Sequence, residues 1–341
     1  MDYASAGVSL ERADEAMERI KGSVKSTFNS RVVGDLGSFG GLFSIANLGM
    51  EDPIMVTSVD GVGTKLKIAF ETGLHDRPGQ DIVNHCVDDI LVMGARPLVF
   101  LDYVGLGRLE PRTMELLVSG MAKACRENGC VLIGGETAEM PGFYQAGEYD
   151  IAGTIVGVVD RPKVITGEKI KPGDLILGLQ STGLHTNGYS LARKALLDSG
   201  AYKLDQHIEK LGTTLGDALS IPHRSYFKPL WPLVERKEIN GLVHITGSGF
   251  QGNIPRVLPE NCDAVIDRNA WRVPAIFELI QKAGGVDRDE MYRVFNMGLG
   301  MLVIVSKERG EAIQAELEAA GETVVIAGEI VPGNRSVRFK N

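Results

Sequence analysis

The stretch LVFLDYVGLGRLEPRTMELLVSGMAKACRENGCVLIGGETAEMP, residues 98–141, carries the pattern that decides the fold class. Leu98-Val99-Phe100-Leu101 is a short apolar run of the kind a buried strand needs. Pro111 suits the first turn of a helix. Met114, Leu117, Val118, Met121 and Cys125 then recur at helical spacing, and Gly129 offers a left-handed stop. Residues 130–133 return to a strand-like run and open into the glycine-rich segment 134–141.

The same alternation continues outward. Ser9 is a good N-cap for a first helix with Glu11 in its first turn. Residues 53–59 read as a strand, 80–93 as a helix with Ile82, Val83, Cys86, Val87, Ile90 and Leu91 on one side, and 149–159 as a β-branched strand. Residues 160–174 are polar and hold two prolines, which marks a domain boundary. Beyond them lie a strand at 175–179, helices from Tyr189, at 274–283 and at 307–320, and a strand at 300–305. The expected fold is therefore α/β or α+β in two mixed domains, 1–165 and 170–341. A chain of 341 residues also exceeds what one hydrophobic core usually serves.

Composition narrows the function. The formal charge of −8 argues against a nucleic-acid binder, which would show a basic face. The first residues carry charges where a secretory signal needs an apolar stretch, and no run of 18 apolar residues occurs. Cys86, Cys125, Cys130 and Cys262 sit in apolar runs without CxxC spacing, as buried thiols of a reducing compartment do. The expectation is a soluble, cytoplasmic protein. Glycine fills 42 positions, well above the roughly 7% average, and clusters where apolar runs end.

Four such clusters combine freed backbone N–H groups with a polar side chain, the arrangement that cradles phosphate. Asp60-Gly61-Val62-Gly63-Thr64-Lys65 fits best, with a carboxylate for a metal and an ammonium for phosphate, although Walker A spacing is absent. Asp60, Asp88, Asp89, Asp102, Glu136 and Glu139 form a carboxylate set of the kind Mg²⁺ shares with nucleotide phosphates. Asp89 interrupts an apolar helix face, and Asp88 reads as facing water. His185, in Gly183-Leu184-His185-Thr186-Asn187-Gly188, could move protons or bond its own loop; His244 invites the same argument more weakly. His75, His85, His207 and His223 have unremarkable neighbours and read as structural.

Nine segments in register resemble the aminoimidazole ribonucleotide synthetase (phosphoribosylformylglycinamidine cyclo-ligase) family. They are Tyr3-Ala4-Ser5-Ala6-Gly7-Val8, 34–41, 60–65, Asp89 with Gly94-Ala95, Phe100-Leu101-Asp102-Tyr103, 134–141, 183–190, 244–249 and Met291-Tyr292-Arg293-Val294-Phe295-Asn296. The resemblance implies ATP-dependent ring closure of formylglycinamidine ribonucleotide, with Mg²⁺, in a homodimer whose N-terminal sheets join, and a C-terminal α/β sandwich completing the cleft. It implies Asp60, Asp89 and Glu136 as Mg²⁺–ATP residues, Lys65 and Thr64 at the phosphates, and Gly37, Gly40 and Gly41 in a mobile phosphate cover. His185 is implied as catalytic, Asn187 on the substrate or phosphate side, and Thr137, His244 and Thr246 in the cleft. The chain departs from the family at Ser248, where glycine is usual, and at Asp88, where asparagine is. Other ATP-using enzymes of the same superfamily, or a catalytically silent nucleotide-binding subunit, are the alternatives.

Overall fold

A computed structural model describes residues 8–37 and 39–340; Tyr3 to Gly7 of the first motif, and Ser38, lie outside the described residues. The chain divides into two compact units. One runs to Ile90 and resumes over Arg96–Asp160; the other takes Leu91–Ala95 and everything from Arg161 on.

In the first unit the order is α1 (Leu10–Lys25), β1 (Pro53–Gly61), α2 (Leu66–Thr72), α3 (Asp76–Leu91), β2 (Arg96–Leu106), α4 (Pro111–Asn128), β3 (Val131–Glu139) and β4 (Tyr149–Asp160). The sheet runs β1-β4-β2-β3, antiparallel except for the β2–β3 pair. That parallel pair is joined through α4, because parallel neighbours need a long crossover. α4 begins on Pro111 and ends on Gly129 at φ 72°, and its buried face holds Met114, Leu117, Val118, Met121 and Cys125, as the spacing indicates. α1 is capped by Ser9, whose Oγ accepts from the Arg12 N–H at 3.3 Å.

Two expectations need correction here. Segments 60–61 and 134–139 are strand, not loop: Asp60 and Gly61 pair with Gly153 and Ala152, and 134–139 pair with β2 from Leu101 to Leu106. Backbone groups that look unsatisfied in a glycine run find partners on a neighbouring strand. Asp88 does not face water. It is fully buried, within a polar row of α3 that also includes Asp81, Asn84 and His85. Asn84 Oδ1 accepts from Asn128 Nδ2 at 2.8 Å, so this row packs inward like the apolar one.

The second unit contains β5 (Leu175–Gln180), α5 (Tyr189–Arg193), β6 (His207–Ile208), β7 (Thr213–Thr214), α6 (Leu215–Ser220), α7 (Phe227–Glu235), β8 (Gly241–His244), α8 (Gly249–Asn253), β9 (Cys262–Asp267), α9 (Ala275–Gly284), α10 (Arg288–Val294), β10 (Leu299–Val305), α11 (Lys307–Ala319), β11 (Val324–Pro332) and β12 (Val337–Lys340). Its main sheet is ordered β12-β9-β11-β5-β10-β8, with only the β12–β9 pair parallel. β10 is buried along its whole length. One core cluster joins Leu177 and Leu179 of β5 and Met301, Val303 and Val305 of β10 to Leu230 and Leu233 of α7 and Ile313 and Leu317 of α11. Among the described residues no helix is long and apolar enough to cross a membrane.

Candidate functional site

In the first unit the sheet register aligns Asp60, Gly153, Asp102 and Gly135 in one row across all four strands. Aligned residues share a face, and Asp60 turns toward α3. Its Oδ2 lies 2.9 Å from His85 Nε2, and Asp89 Oδ2 lies 3.7 Å from the same nitrogen. Ser58 Oγ donates to Asp89 Oδ2 at 3.1 Å. Burial pushes Asp60 up, but the His85 hydrogen bond and charge and the Gly61 N–H outweigh it, so the carboxyl lies below its usual range. Burial lowers His85, yet the Asp60 hydrogen bond and the charges of Asp89, Asp60 and Asp81 hold it above its ordinary value. Two carboxylates thus converge on one His85 ring nitrogen, and paired carboxylate oxygens are the kind of donor a hard divalent cation takes.

Glu136 stands apart from this pair. It follows Gly135 and pairs with Tyr103, so strand alternation directs it to the opposite, exposed face. Lys65 also departs from the loop reading. Its ammonium is buried, 2.8 Å from Asp81 Oδ1, while Thr64 beside it is exposed. Burial pulls Lys65 down more than Asp81 lifts it.

Gly37, Gly40 and Gly41 lie over a cavity of about 450 Å³. Its other walls include Met17 and Ile20 of α1, Met114 and Val118 of α4, and Leu101, Asp102, Ile133, Gly135, Glu136 and Thr137 of the sheet. The hairpin bearing these glycines is held at its stem by Val33 N–H on Leu42 O at 2.8 Å. Asp102 lines this cavity with Asp35 and Glu136, and burial pushes the Asp102 carboxyl up to about 7. A Cβ at Gly135 would stand 2.2 Å from Asp102 Oδ1, so only glycine leaves that carboxyl its place.

In the second unit the 181–188 loop turns back on itself at His185, which is buried at φ +62°. His185 Nε2 accepts from the Thr182 N–H at 3.2 Å. Its ring stacks on His223 with centroids 4.0 Å apart and planes inclined by 34°. His223 Nε2 lies 2.9 Å from His244 Nε2 at the end of β8. Asn187 belongs to the same corner: a Cβ at Gly247 would meet its Oδ1 at 2.9 Å. Thr246 Oγ1 donates to Asn253 Oδ1 at 3.1 Å. Ser248 causes no strain, since its φ of −104° and ψ of 13° suit any residue. The demanding position is Gly249, at φ +55° with Tyr292 O only 2.2 Å from where a Cβ would be.

The structure therefore brings Asp60 to Asp89, Gly37, Gly40 and Gly41 to the cavity that Thr137 lines, and His185, Asn187, His244 and Thr246 into one corner. Sequence reasoning missed His85 and His223. His85 had a signal, an i, i+4 relation to Asp89 within the expected helix. His223 had none, because its partners come from 38 residues before and 21 after it.

Comparison with known proteins agrees with this two-part construction. Residues 45–159 match the N-terminal domain of AIR synthase related proteins and residues 171–340 match their C-terminal domain, which makes this a two-domain AIR synthase related protein. Phosphoribosylformylglycinamidine cyclo-ligase of Alkaliphilus metalliredigens (strain QYMF) is 48% identical over 99% of this chain and 97% of its own length. That of Brevibacillus brevis matches with the same figures. The chain belongs to the phosphoribosylformylglycinamidine cyclo-ligase family of ligases. Solved structures share the fold at lower identity. Thiamine-monophosphate kinase from Stenotrophomonas maltophilia K279a superposes with a TM-score of 0.68 at 16% identity, covering 96% of each chain. Hydrogenase maturation protein HypE in complex with ATP gives 0.65 at 20%, covering 98% of this chain and 92% of that one.

Proposed function

We propose that the chain converts formylglycinamidine ribonucleotide and ATP to aminoimidazole ribonucleotide, ADP and phosphate, in purine biosynthesis. The observation that carries this reading is the 48% identity to a curated cyclo-ligase over 99% of this chain, a span that takes in both domains. ATP binding draws support from the cavity beneath the 34–41 hairpin and from the ATP complex of a protein with the same fold.

The chemistry has to make a poor electrophile reactive. In this reading the γ-phosphoryl group passes from ATP to the amide oxygen and ADP leaves. The amidine-derived nitrogen attacks that carbon, the ring closes, the carbon–oxygen bond breaks and phosphate departs. Phosphoryl transfer asks mainly for positioning and for positive charge near the moving oxygens. Asp60 and Asp89 are the residues that would hold Mg²⁺, and their convergence beside His85 supports the fit. The ion would neutralise phosphate charge when bound. Thr64 and the N–H groups of Gly37, Gly40 and Gly41 orient phosphate oxygens, and the hairpin excludes water. His185 stabilises the amide oxygen, with Asn187, His244 and Thr246 around the substrate and Thr137 at the cavity rim. Lys65 acts through Asp81 and the α3 polar row, not by direct contact.

The reading includes a homodimer formed through the N-terminal sheet. Met55 and Val59 on β1 are 72% and 66% exposed, and Tyr103 on β2 and Glu136 on β3 are exposed beside them, on the face turned away from α3. A second copy covering this face would also meet Glu136, which accounts for a metal-site candidate standing apart from Asp60. The first unit is then the ATP-binding and dimerisation domain, and the second completes the substrate side. The deciding assay is ADP release with and without formylglycinamidine ribonucleotide. Release that does not rise on adding the substrate would sink the reading.

A further inference from the structure

The histidine corner holds one residue with no assigned part. His223 is fully buried and lies between the two histidines given roles above: it stacks on His185 and hydrogen-bonds His244. Hydrogen positions follow from the partners. His223 Nδ1 lies 2.8 Å from the carbonyl oxygen of Arg224, which can only accept, so Nδ1 carries a proton. A neutral His223 then has a lone pair at Nε2, and the 2.9 Å contact requires His244 Nε2–H to donate to it. Arg224 is itself anchored: its guanidinium is 2.6 Å from Glu322 Oε1 and lies over the Tyr226 ring at 4.8 Å. Tyr226 OH in turn donates to Gln180 O at 3.0 Å.

We propose that His223 is a positioning residue for the ring-closure reaction: it fixes His244 as the Nε2–H tautomer and holds the His185 ring in its catalytic orientation. The proposal rests on the roles given to His185 and His244. Ring orientation matters because a donor displaced by about 1 Å from the developing charge forfeits much of its effect. The stack supports that orientation for His185, whose Nε2 also accepts the Thr182 N–H. Partners at second remove commonly fix the tautomer and the direction of a working histidine.

The ring nitrogens of His185, His223 and His244 also lie within 4.8 Å of one another, a spacing that a metal ion could use. The hydrogen bonds favour the other reading. Both His223 nitrogens already have partners, Arg224 O at 2.8 Å and His244 Nε2 at 2.9 Å. His185 Nε2 already accepts a backbone proton, so a neutral His185 carries its own proton on Nδ1.

The test compares His223→Phe, which keeps a stacking ring but no nitrogen, with His223→Gln, whose amide oxygen can accept from His244 in place of Nε2. The Phe variant is expected to lose at least tenfold in kcat while KM for ATP stays within twofold. The Gln variant restores the acceptor but not the ring, so it should regain the His244 Nε2–H signature while its kcat falls between those of the Phe variant and the parent. Nitrogen-15 imidazole spectra of the full chain should show His223 as the Nδ1–H tautomer and His244 as Nε2–H, with the His244 signature lost in the Phe variant. These spectra need no turnover, so they separate failure of this proposal from failure of the cyclo-ligase reading. Unchanged kcat in a folded Phe variant, or a proton on His223 Nε2 in place of Nδ1, overturns the proposal. So does stoichiometric binding of Zn²⁺ by the metal-free chain that the Phe variant abolishes. If the Phe variant does not fold, the parent spectra and the Gln variant decide.

Discussion

Asp102→Asn should stabilise the first unit at alkaline pH and leave its stability unchanged in acid. Burial raises the Asp102 carboxyl from 3.8 to about 7. The folded chain therefore binds a proton there that the unfolded chain releases, and stability falls as pH climbs from about 4 to about 7, then stays level. A gap of about three pKa units at 1.36 kcal/mol each sets a ceiling near 4 kcal/mol. Asp102 floors a cavity of about 450 Å³ into which water can enter, which argues for roughly half that figure. Asparagine has the same shape and does not titrate, so the variant should exceed the parent by about 2 kcal/mol at pH 8 and match it near pH 4. The measurement must report on the right unit. Trp231 and Trp271 both belong to the second, so their fluorescence is the wrong probe. Hydrogen exchange of β2 and β3 amides, corrected for intrinsic rates, reads the opening of the sheet that carries Asp102. A variant less stable than the parent at pH 8, or a difference independent of pH, would refute the reasoning.

His185→Ala should leave ATP affinity within a few-fold, by calorimetric titration, and reduce substrate-stimulated ADP release by about 10²–10³, the usual effect of removing one electrostatic donor. Near-normal turnover would remove His185 from the mechanism. Lys65→Met removes the cation 2.8 Å from the buried Asp81 carboxylate and should destabilise the first unit by about 3–5 kcal/mol, with Asp81→Leu in the same chain restoring most of the loss. If the single variant melts like the parent and only its KM for ATP rises, Lys65 works at the phosphates and the buried pair is not its main role. Gly249→Ala forces a side chain into left-handed backbone against the Tyr292 carbonyl and should lower the melting temperature sharply, whereas Ser248→Gly should change it by at most a degree or two.

What was legible in the sequence was what local chemistry controls. α4 could be read end to end because Pro111, the helical apolar spacing and Gly129 act within a few residues of themselves. The segment 134–139 misled because its glycines looked like a turn, while β2 lay ready to pair with it. Gly135 is there to admit the Asp102 side chain from that neighbouring strand, a requirement invisible along the chain. Lys65 misled for a related reason. A lysine in a glycine turn reads as exposed until Asp81, 16 residues on, is seen to bury it. The His185 loop was conspicuous through its own composition, but His223 becomes meaningful only beside His185 and His244.

α3 shows how a polar stripe can mislead a reading based on amphipathicity. Asp81, Asn84, His85 and Asp88 recur at helical spacing, which on a surface helix would mark the solvent face. All four are buried. Isolated buried charges are too costly to persist, so each must be met by a group from elsewhere in the fold. Lys65 meets Asp81, Asn128 meets Asn84 and Asp60 meets His85. Each pairing ties α3 to a different element: the turn before α2, the end of α4 and the end of β1. Asp89, one residue past the row, is the part-exposed carboxylate. The row thus holds α3 in the register that sets Asp89 beside Asp60, so charge buried inside the first unit helps position the two carboxylates proposed above to hold Mg²⁺.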